Sequence, residues 1–338
     1  MKKYRFLLLI FLITAFSTYA QNSKSYYLKG RSQLLLEKDS IAASYFTMAI
    51  ALKPDFENAY RYRAEARSHL DNYDGAYDDY SKSIKLDPKN PELFYERGEL
   101  SSMYAKYDEA ITDYNKAIVL NPKYALAYNA KGDAEFELND YHKSIADNTR
   151  ATELKPILSD AYYYMGFAEY ELKDFNTAIL DYDKSIKYSF LDSLCFYNRA
   201  NALDSIQQYE KALKDFTTAL TYSTQYFDAF FGRGFTEIKL AKYDSAIRDF
   251  NIVIVDDSTN SEAFYYRGLA EYNEKKYSSA ISDISAAIKL NPNMHGAFLE
   301  RGAAKHFIED NTGACEDLKK AFQFGIPEAK ADMDKWCK

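Results

Sequence analysis

The stretch 265-YYRGLAEYNEKKYSSAISDI-284 reads as two short amphipathic helices around a tight turn. It sets Arg267 sixteen positions ahead of Asp283. The same spacing recurs at 63/79, 97/113, 131/147, 199/215, 233/249 and 301/317, with Lys131 as the one lysine among the bases. An active site occurs once in a chain, so a charge pair repeated seven times belongs to the architecture.

Working outward, a base, or Met165 in one case, precedes a small residue: Gly30, Ala64, Gly98, Gly132, Gly166, Ala200, Gly234, Gly268 and Gly302 stand 34 residues apart, without insertion or deletion. Four residues before each stands an aromatic, from Tyr26 and Tyr60 to Phe264 and Phe298. Twelve after lies Ala42, Ala76, Ala110, Ser144, Ala178, Ala212, Ala246, Ala280 or Ala314. A further seven brings Ala49, Ser83, Ala117, Ala151, Ser185, Ala219, Val253, Ala287 or Ala321. Small residues at two facing places let two helices approach closely, and the aromatic fills the space beside them. Pro54, Pro88, Pro122, Pro156 and Pro292 close five of the units, since proline cannot continue a helix. One such pair of helices cannot bury its apolar face alone, so the units must stack.

An aromatic at position 4, Gly or Ala at 8, Ala at 20 and 27 and Pro at 32 resembles the tetratricopeptide repeat (TPR), in nine copies: 23–56, 57–90, 91–124, 125–158, 159–192, 193–226, 227–260, 261–294 and 295–328. The resemblance covers 23–328 and implies an all-α, right-handed α-solenoid. Residues 329–338 are expected to form a short capping helix, with Met333 and Trp336 three apart on one side. No comparable cap precedes the first repeat, which leaves Tyr26, Leu34, Leu35 and Leu36 to be partly exposed. Repeats 5, 6, 7 and 9 carry Phe190, Thr224, Ser258 and Ile326 in place of the closing proline, so their turns are expected to be looser or differently angled. Ser144 and Asn148 make the second helix of repeat 4 the least regular.

The recurring pairs are read as structural joints: Arg63 with Asp79, Arg97 with Asp113, Arg199 with Asp215, Arg233 with Asp249, Arg267 with Asp283 and Arg301 with Asp317. Spacing alone leaves open whether each aspartate meets the base of its own repeat or of the next. Met165 replaces the base in repeat 5, leaving Asp181 or Asp147 short of a partner and marking a local weak point.

The chain of 338 residues is 47% hydrophobic and 16% aromatic, with 32 tyrosines, and is far too rich in packing residues to be disordered. Its formal charge of −7 argues against a nucleic-acid partner. Residues 1–20 have the layout of a secretory signal: a basic start, the apolar run FLLLIFLITAF, then STYA before Gln21. Its removal takes away Lys2, Lys3 and Arg5 and no acid, leaving 40 basic against 50 acidic residues, a charge of −10. An exported, periplasmic, cell-surface or secreted bacterial protein is therefore expected, touching a membrane only if the leader is retained. In such a compartment Cys315 and Cys337 either form a bridge that pins the cap or remain buried thiols, with Cys195 a small core residue.

His69, His142, His295 and His306 are scattered without metal-ligand spacing, and there is no Gly-rich phosphate loop, nucleophile elbow or HExxH. This gives no enzyme, no cofactor and no metal. What the family resemblance implies instead is a groove lined by the first helices, at positions 2, 5, 9, 12 and 13. Carried over, these give an acidic zone of Glu65, Glu92, Glu99, Asp133, Glu137, Asp160 and Glu171, relieved mainly by Arg61. They also give an aromatic zone of Phe167, Tyr197, Phe231, Phe235, Tyr265 and Leu269, and a position-5 row of Tyr27, Tyr95, Tyr163, Tyr197, Phe231 and Tyr265. Such a surface suits an extended or helical peptide with a basic stretch and apolar anchors, from another envelope or secreted protein. Two other readings remain: glycans stacking on the tyrosines, and a regulatory subunit of a separate enzyme.

Overall fold

The computed structural model describes residues 22–189 and 192–337. The expected leader, residues 1–20, and Phe190 lie outside the described residues. Among the described residues there are nineteen helices and no strand, beginning with one at 22–34 and ending with Glu328–Trp336. They pair into tandem helix–turn–helix repeats, the fold of an α-solenoid. The chain divides into two compact units, one running to Leu172 and the other beginning at Lys173, between the two helices of repeat 5. Within each unit successive helices pack on one another, and neighbouring first helices also touch.

The turn inside each repeat needs a left-handed residue, and none of the nine is glycine. Position 15 is Glu37, Asp71, Ala105, Asn139, Lys173, Gln207, Ala241, Lys275 and Glu309, with φ between 55° and 67°. In eight of these turns the strained residue is held by the amide that follows it: Asn72 N–H donates to the Arg67 carbonyl at 2.9 Å and Lys276 N–H to that of Glu271 at 2.8 Å, the bonding of a Schellman cap. Asn72, Asn90, Asp174, Asp192, Asn260 and Asp310 accept backbone N–H groups at helix starts.

The missing closing proline matters less than expected in repeats 6 and 7. Their second helices, Tyr209–Tyr222 and Tyr243–Asp256, run the same 14 residues as the proline-closed Tyr73–Leu86. In all three the C-cap residue still donates its N–H four residues back, while its own φ and ψ leave the helical region and end the helix. Repeats 5 and 9 do differ. Their second helices, Phe175–Lys187 and Asn311–Gln323, are one residue shorter, and left-handed Ser189 (φ 79°) and Gly325 (φ 86°) follow them. The second helix of repeat 4, Tyr141–Leu154, is as regular as its neighbours, because buried Asn148 fills the place of a large side chain and accepts from Asn129 Nδ2 at 2.9 Å.

Packing explains the small residues. Phe46 and Tyr114 are fully buried, and a Cβ on Gly30 or Gly98 would come within 2.6 Å of their rings. A larger residue there must push the helices apart.

The joints lie within repeats. Arg63, Arg97, Arg199, Arg233, Arg267 and Arg301 each present Nε and Nη2 to both oxygens of the aspartate sixteen residues on, at 2.5–2.8 Å. The remaining nitrogen, Nη1, reaches back to the preceding repeat: to Thr47 Oγ1, Ser81 Oγ, Asp183 Oδ1, Asn251 Oδ1 and Ser285 Oγ from five of the six arginines. One guanidinium thus ties three helices, with a directionality that a lysine ammonium lacks. The expected orphan in repeat 5 does not arise. Lys131 takes Asp147 at 2.7 Å, and Asp181 is met by Lys184 of its own helix at 2.7 Å.

Position 11 adds a titratable element. In repeats 2 and 9 it is Arg67 or Lys305, which bind Asp79 and Asp317 at 2.7 and 2.8 Å. Glu135, Glu237 and Glu271 stand there in repeats 4, 7 and 8, beside Asp147, Asp249 and Asp283. Burial, and then the neighbouring aspartate, pushes each of these glutamates up to about 7. The folded chain therefore holds these protons more tightly than the unfolded chain. Their contribution to stability is full at low pH, declines as pH rises through the ordinary glutamate range towards 7, and levels off above it. The cost at pH 8 is roughly 1–2 kcal/mol per group after solvent screening. Thermal melts should fall between pH 5 and pH 8 in the wild-type chain and fall less in Glu237→Gln/Glu271→Gln; parallel curves would refute the assignment.

The array ends in the helix Glu328–Trp336, whose Met333 and Trp336 pack on the Phe298–Leu318–Ala321 core of repeat 9. Cys315 and Cys337 are bridged, with Cα atoms 5.6 Å apart, and Cys195 is free and buried. At the other end, Leu35 is 79% exposed and Leu36 also lies open.

Candidate functional site

The first helices carry the residues expected to line a groove, and the structure sorts them. In the first unit much of the position-5 row serves packing. Tyr27 lies against Phe46, Phe56 and Tyr62, and Tyr95 against Tyr114 and Tyr124, with ring centroids 5.0–6.1 Å apart. Tyr163 is only 5% exposed and packs on Tyr164 and Phe167, so it offers no surface to a ligand. Phe167 is half-buried against Phe136 at 4.8 Å.

The acidic zone is more internally satisfied than the sequence implied. Arg61 spreads its fork over Glu92 and Glu96, the latter at a position not counted as inward-facing. Glu99 accepts from the buried Tyr114 hydroxyl at 2.6 Å. Asp133 accepts from Asn129 Nδ2 at 2.9 Å, and removal from water, with Asp160 and Glu99 nearby, holds it above the usual carboxylate range. Glu65 is half-buried; Glu137, Asp160 and Glu171 are exposed.

The second unit brings its residues together. Tyr197, Phe231 and Phe235 line a cavity of about 320 Å³ with Asn201, Asp204, Phe216, Asp228, Gly232, Glu262 and Tyr266. Tyr266 stands edge-on to Phe231 at 5.8 Å and to Phe235 at 5.2 Å, and stacks on Phe250 at 6.0 Å. Tyr265 lies edge-on to Tyr266, outside the cavity lining, and Leu269 is half-buried one turn on in the same helix. The opening follows from Gly232. At position 6 its neighbours are Tyr164, Asn198, Tyr266 and Glu300, whereas a Cβ on Gly232 would lie 2.6 Å from the Phe216 ring. Asp204 accepts from Thr236 Oγ1 at 2.8 Å and is raised by burial, an effect that the Thr236 bond and Lys239 oppose. Asp204, Asp228 and Glu262 sit at positions 12 and 2, which the family resemblance implies to be inward-facing. Tyr266 and Gly232 sit at position 6, where the one available signal was a glycine in a column of larger side chains.

Among the described residues, no group of three or more His, Cys, Asp or Glu side chains is placed to hold a metal ion. Three histidines have structural neighbours: His69 meets Asp39 at 3.0 Å, His295 stacks on Phe324 and His306 on Trp336. No described helix is long and apolar enough to cross a membrane. The arrangement supplies aromatic walls and carboxylates, which is binding chemistry.

Family models described as tetratricopeptide repeat match residues 80–112, 125–157, 195–226 and 236–295, and one described as TPR repeat matches 106–134. Among solved structures, the C-terminal part of a TPR repeat-containing protein from Cytophaga hutchinsonii is 19% identical, with a TM-score of 0.57, over 71% of this chain and 98% of that one. Pseudomonas aeruginosa pilF is 12% identical, with a TM-score of 0.57, over 66% and 99%. YrrB, described as a TPR protein with an unusual peptide-binding site, is 22% identical, with a TM-score of 0.52, over 54% and 95%. At these identities the likeness is one of fold. No curated protein matches the chain.

Proposed function

The chain belongs to the tetratricopeptide-repeat family, and from that premise we propose that it is a non-enzymatic scaffold binding a peptide segment of a partner protein along its first helices. The observation that carries this is the half-exposed aromatic group of Phe231, Phe235, Tyr265 and Tyr266 on the first helices of repeats 7 and 8, beside an open cavity. Aromatic anchors in pockets dominate peptide affinity. A glycan platform is less favoured, because sugars need open ring faces and much of the tyrosine row is spent on packing between helices.

The leader-like start supports export, and the Cys315–Cys337 bridge supports an oxidising compartment such as the periplasm or cell surface. The partner in this reading is another envelope or secreted protein. The test is capture of the full chain from its native source after mild crosslinking, with crosslink sites mapped by mass spectrometry. A stoichiometric protein crosslinked to the first helices of repeats 6–8 is expected. Phe235→Ala/Tyr265→Ala should lower its recovery at least tenfold with helical circular dichroism unchanged. Unchanged recovery, or crosslinks confined to the second helices, would overturn the reading.

A further inference from the structure

We propose that the cavity between Phe216, Phe231, Phe235 and Tyr266 is a specificity pocket for an arginine side chain of the bound peptide. This rests on the peptide-groove reading and goes further by naming what one subsite accepts.

Three observations support it. First, the cavity is there by subtraction: Gly232 leaves out a side chain over Phe216, and the resulting space of about 320 Å³ has a buried aromatic floor and aromatic walls. Second, the charged residues that line it are all acidic. Asp204, Asp228 and Glu262 line it, and among the described residues none of the three makes an ion pair, whereas the joint aspartates of the same repeats are all paired. Asp228 and Glu262 stand in the first turns of neighbouring first helices, so the two carboxylates come from neighbouring repeats, and both are exposed. Third, one of these rings already accepts a cation. The Lys239 ammonium lies over Phe235 at 4.9 Å without reaching any of the three carboxylates within ion-pair distance.

A flat guanidinium can stack on an aromatic face while its N–H groups fork to carboxylates on either side, whereas an ammonium is a point charge and uses only part of this geometry. Charge complementarity and the aromatic walls therefore select arginine over lysine, and over neutral or acidic side chains.

The experiment selects a phage library of random nonapeptides on the full chain and on Asp228→Asn/Glu262→Gln. Both substitutions fall on exposed positions away from the joints, so the variant keeps its fold. Wild-type selection should enrich arginine at one position beside apolar residues. The variant should lose the arginine preference and keep the apolar one. In a selected peptide, replacing that arginine by its neutral isostere citrulline should weaken binding at least tenfold to the wild type and by less than twofold to the variant. Enriched peptides without arginine, or equal binding of the citrulline form, would overturn the pocket and leave the groove standing. A library that enriches nothing would overturn both.

Discussion

Asp317→Ala is expected to lower the stability of the second unit by about 3–5 kcal/mol, the range for stranding a buried charge by removing its partner. The Asp317 side chain is 3% exposed and takes Arg301 Nε at 2.8 Å, Arg301 Nη2 at 2.7 Å and Lys305 Nζ at 2.8 Å. Its loss strands two cations at once. Asp181→Ala is the control: Asp181 is as buried as Asp317, but its loss leaves only the half-exposed Lys184 ammonium, which water solvates, so the cost should be about 1 kcal/mol or less. Urea unfolding, with hydrogen exchange to locate the loss, measures both. Equal costs would show that the forked joint contributes no more than a single bond to a half-exposed lysine. The effect also has a pH signature. Burial pulls the Asp317 pKa upward, but Arg301 and Lys305 more than offset it and hold the carboxyl below its ordinary value. Its contribution is therefore present above the ordinary aspartate range and fades as pH falls through the lowered folded value, so the gap between wild type and variant should close in strong acid.

The second large effect is expected at the cap. Cys315→Ser/Cys337→Ser should destabilise the C-terminal end by about 3 kcal/mol, the chain-entropy value for a closed loop of this size, given the sequence separation of 22. The bridge holds a nine-residue helix, too short to persist in water without its contacts. Trp336, the single tryptophan, stacks on His306 at 4.1 Å and reports directly on docking. The variant's fluorescence should shift to the red at temperatures where helical circular dichroism is still native. Unchanged emission and melting would mean that Met333 and Trp336 hold the cap by packing alone.

The fold was legible because its signals repeat. A small residue that recurs every 34 positions without a gap can be read from sequence, and the structure adds the ring beneath each one. The partner of each joint was not legible, since an aspartate sixteen residues on is compatible with two pairings until the helices are placed. The backward contact of Nη1 was missed although its signal was present: Thr47, Ser81, Asn115, Thr149, Asp183, Thr217, Asn251 and Ser285 are all small and polar at one position. Asp181 found a partner three residues along its own helix, which a search restricted to the repeat spacing does not consider. The candidate site was half legible. The family resemblance implies which positions face inward, so Tyr197, Phe231 and Phe235 were named. It cannot say which rings are consumed by neighbours, as Tyr163 is, or that an absent side chain at Gly232 opens a cavity.

The uniformity of the joint bears on how such an array changes over generations. Five arginines make the same demand on the unit before them, a small polar side chain at one place, and repeats 1–8 all supply it. Recombination that deletes or duplicates 34 residues within repeats 1–8 therefore leaves a small polar partner ahead of any arginine-bearing repeat. Copy number is free to drift. Repeat 9 carries Lys319 at that place, which would repel an arginine of a unit placed directly after it. The cavity draws on residues 197–266 in a fixed order and cannot survive reshuffling. Among related arrays of different length, gain and loss of units should fall outside the stretch that forms it.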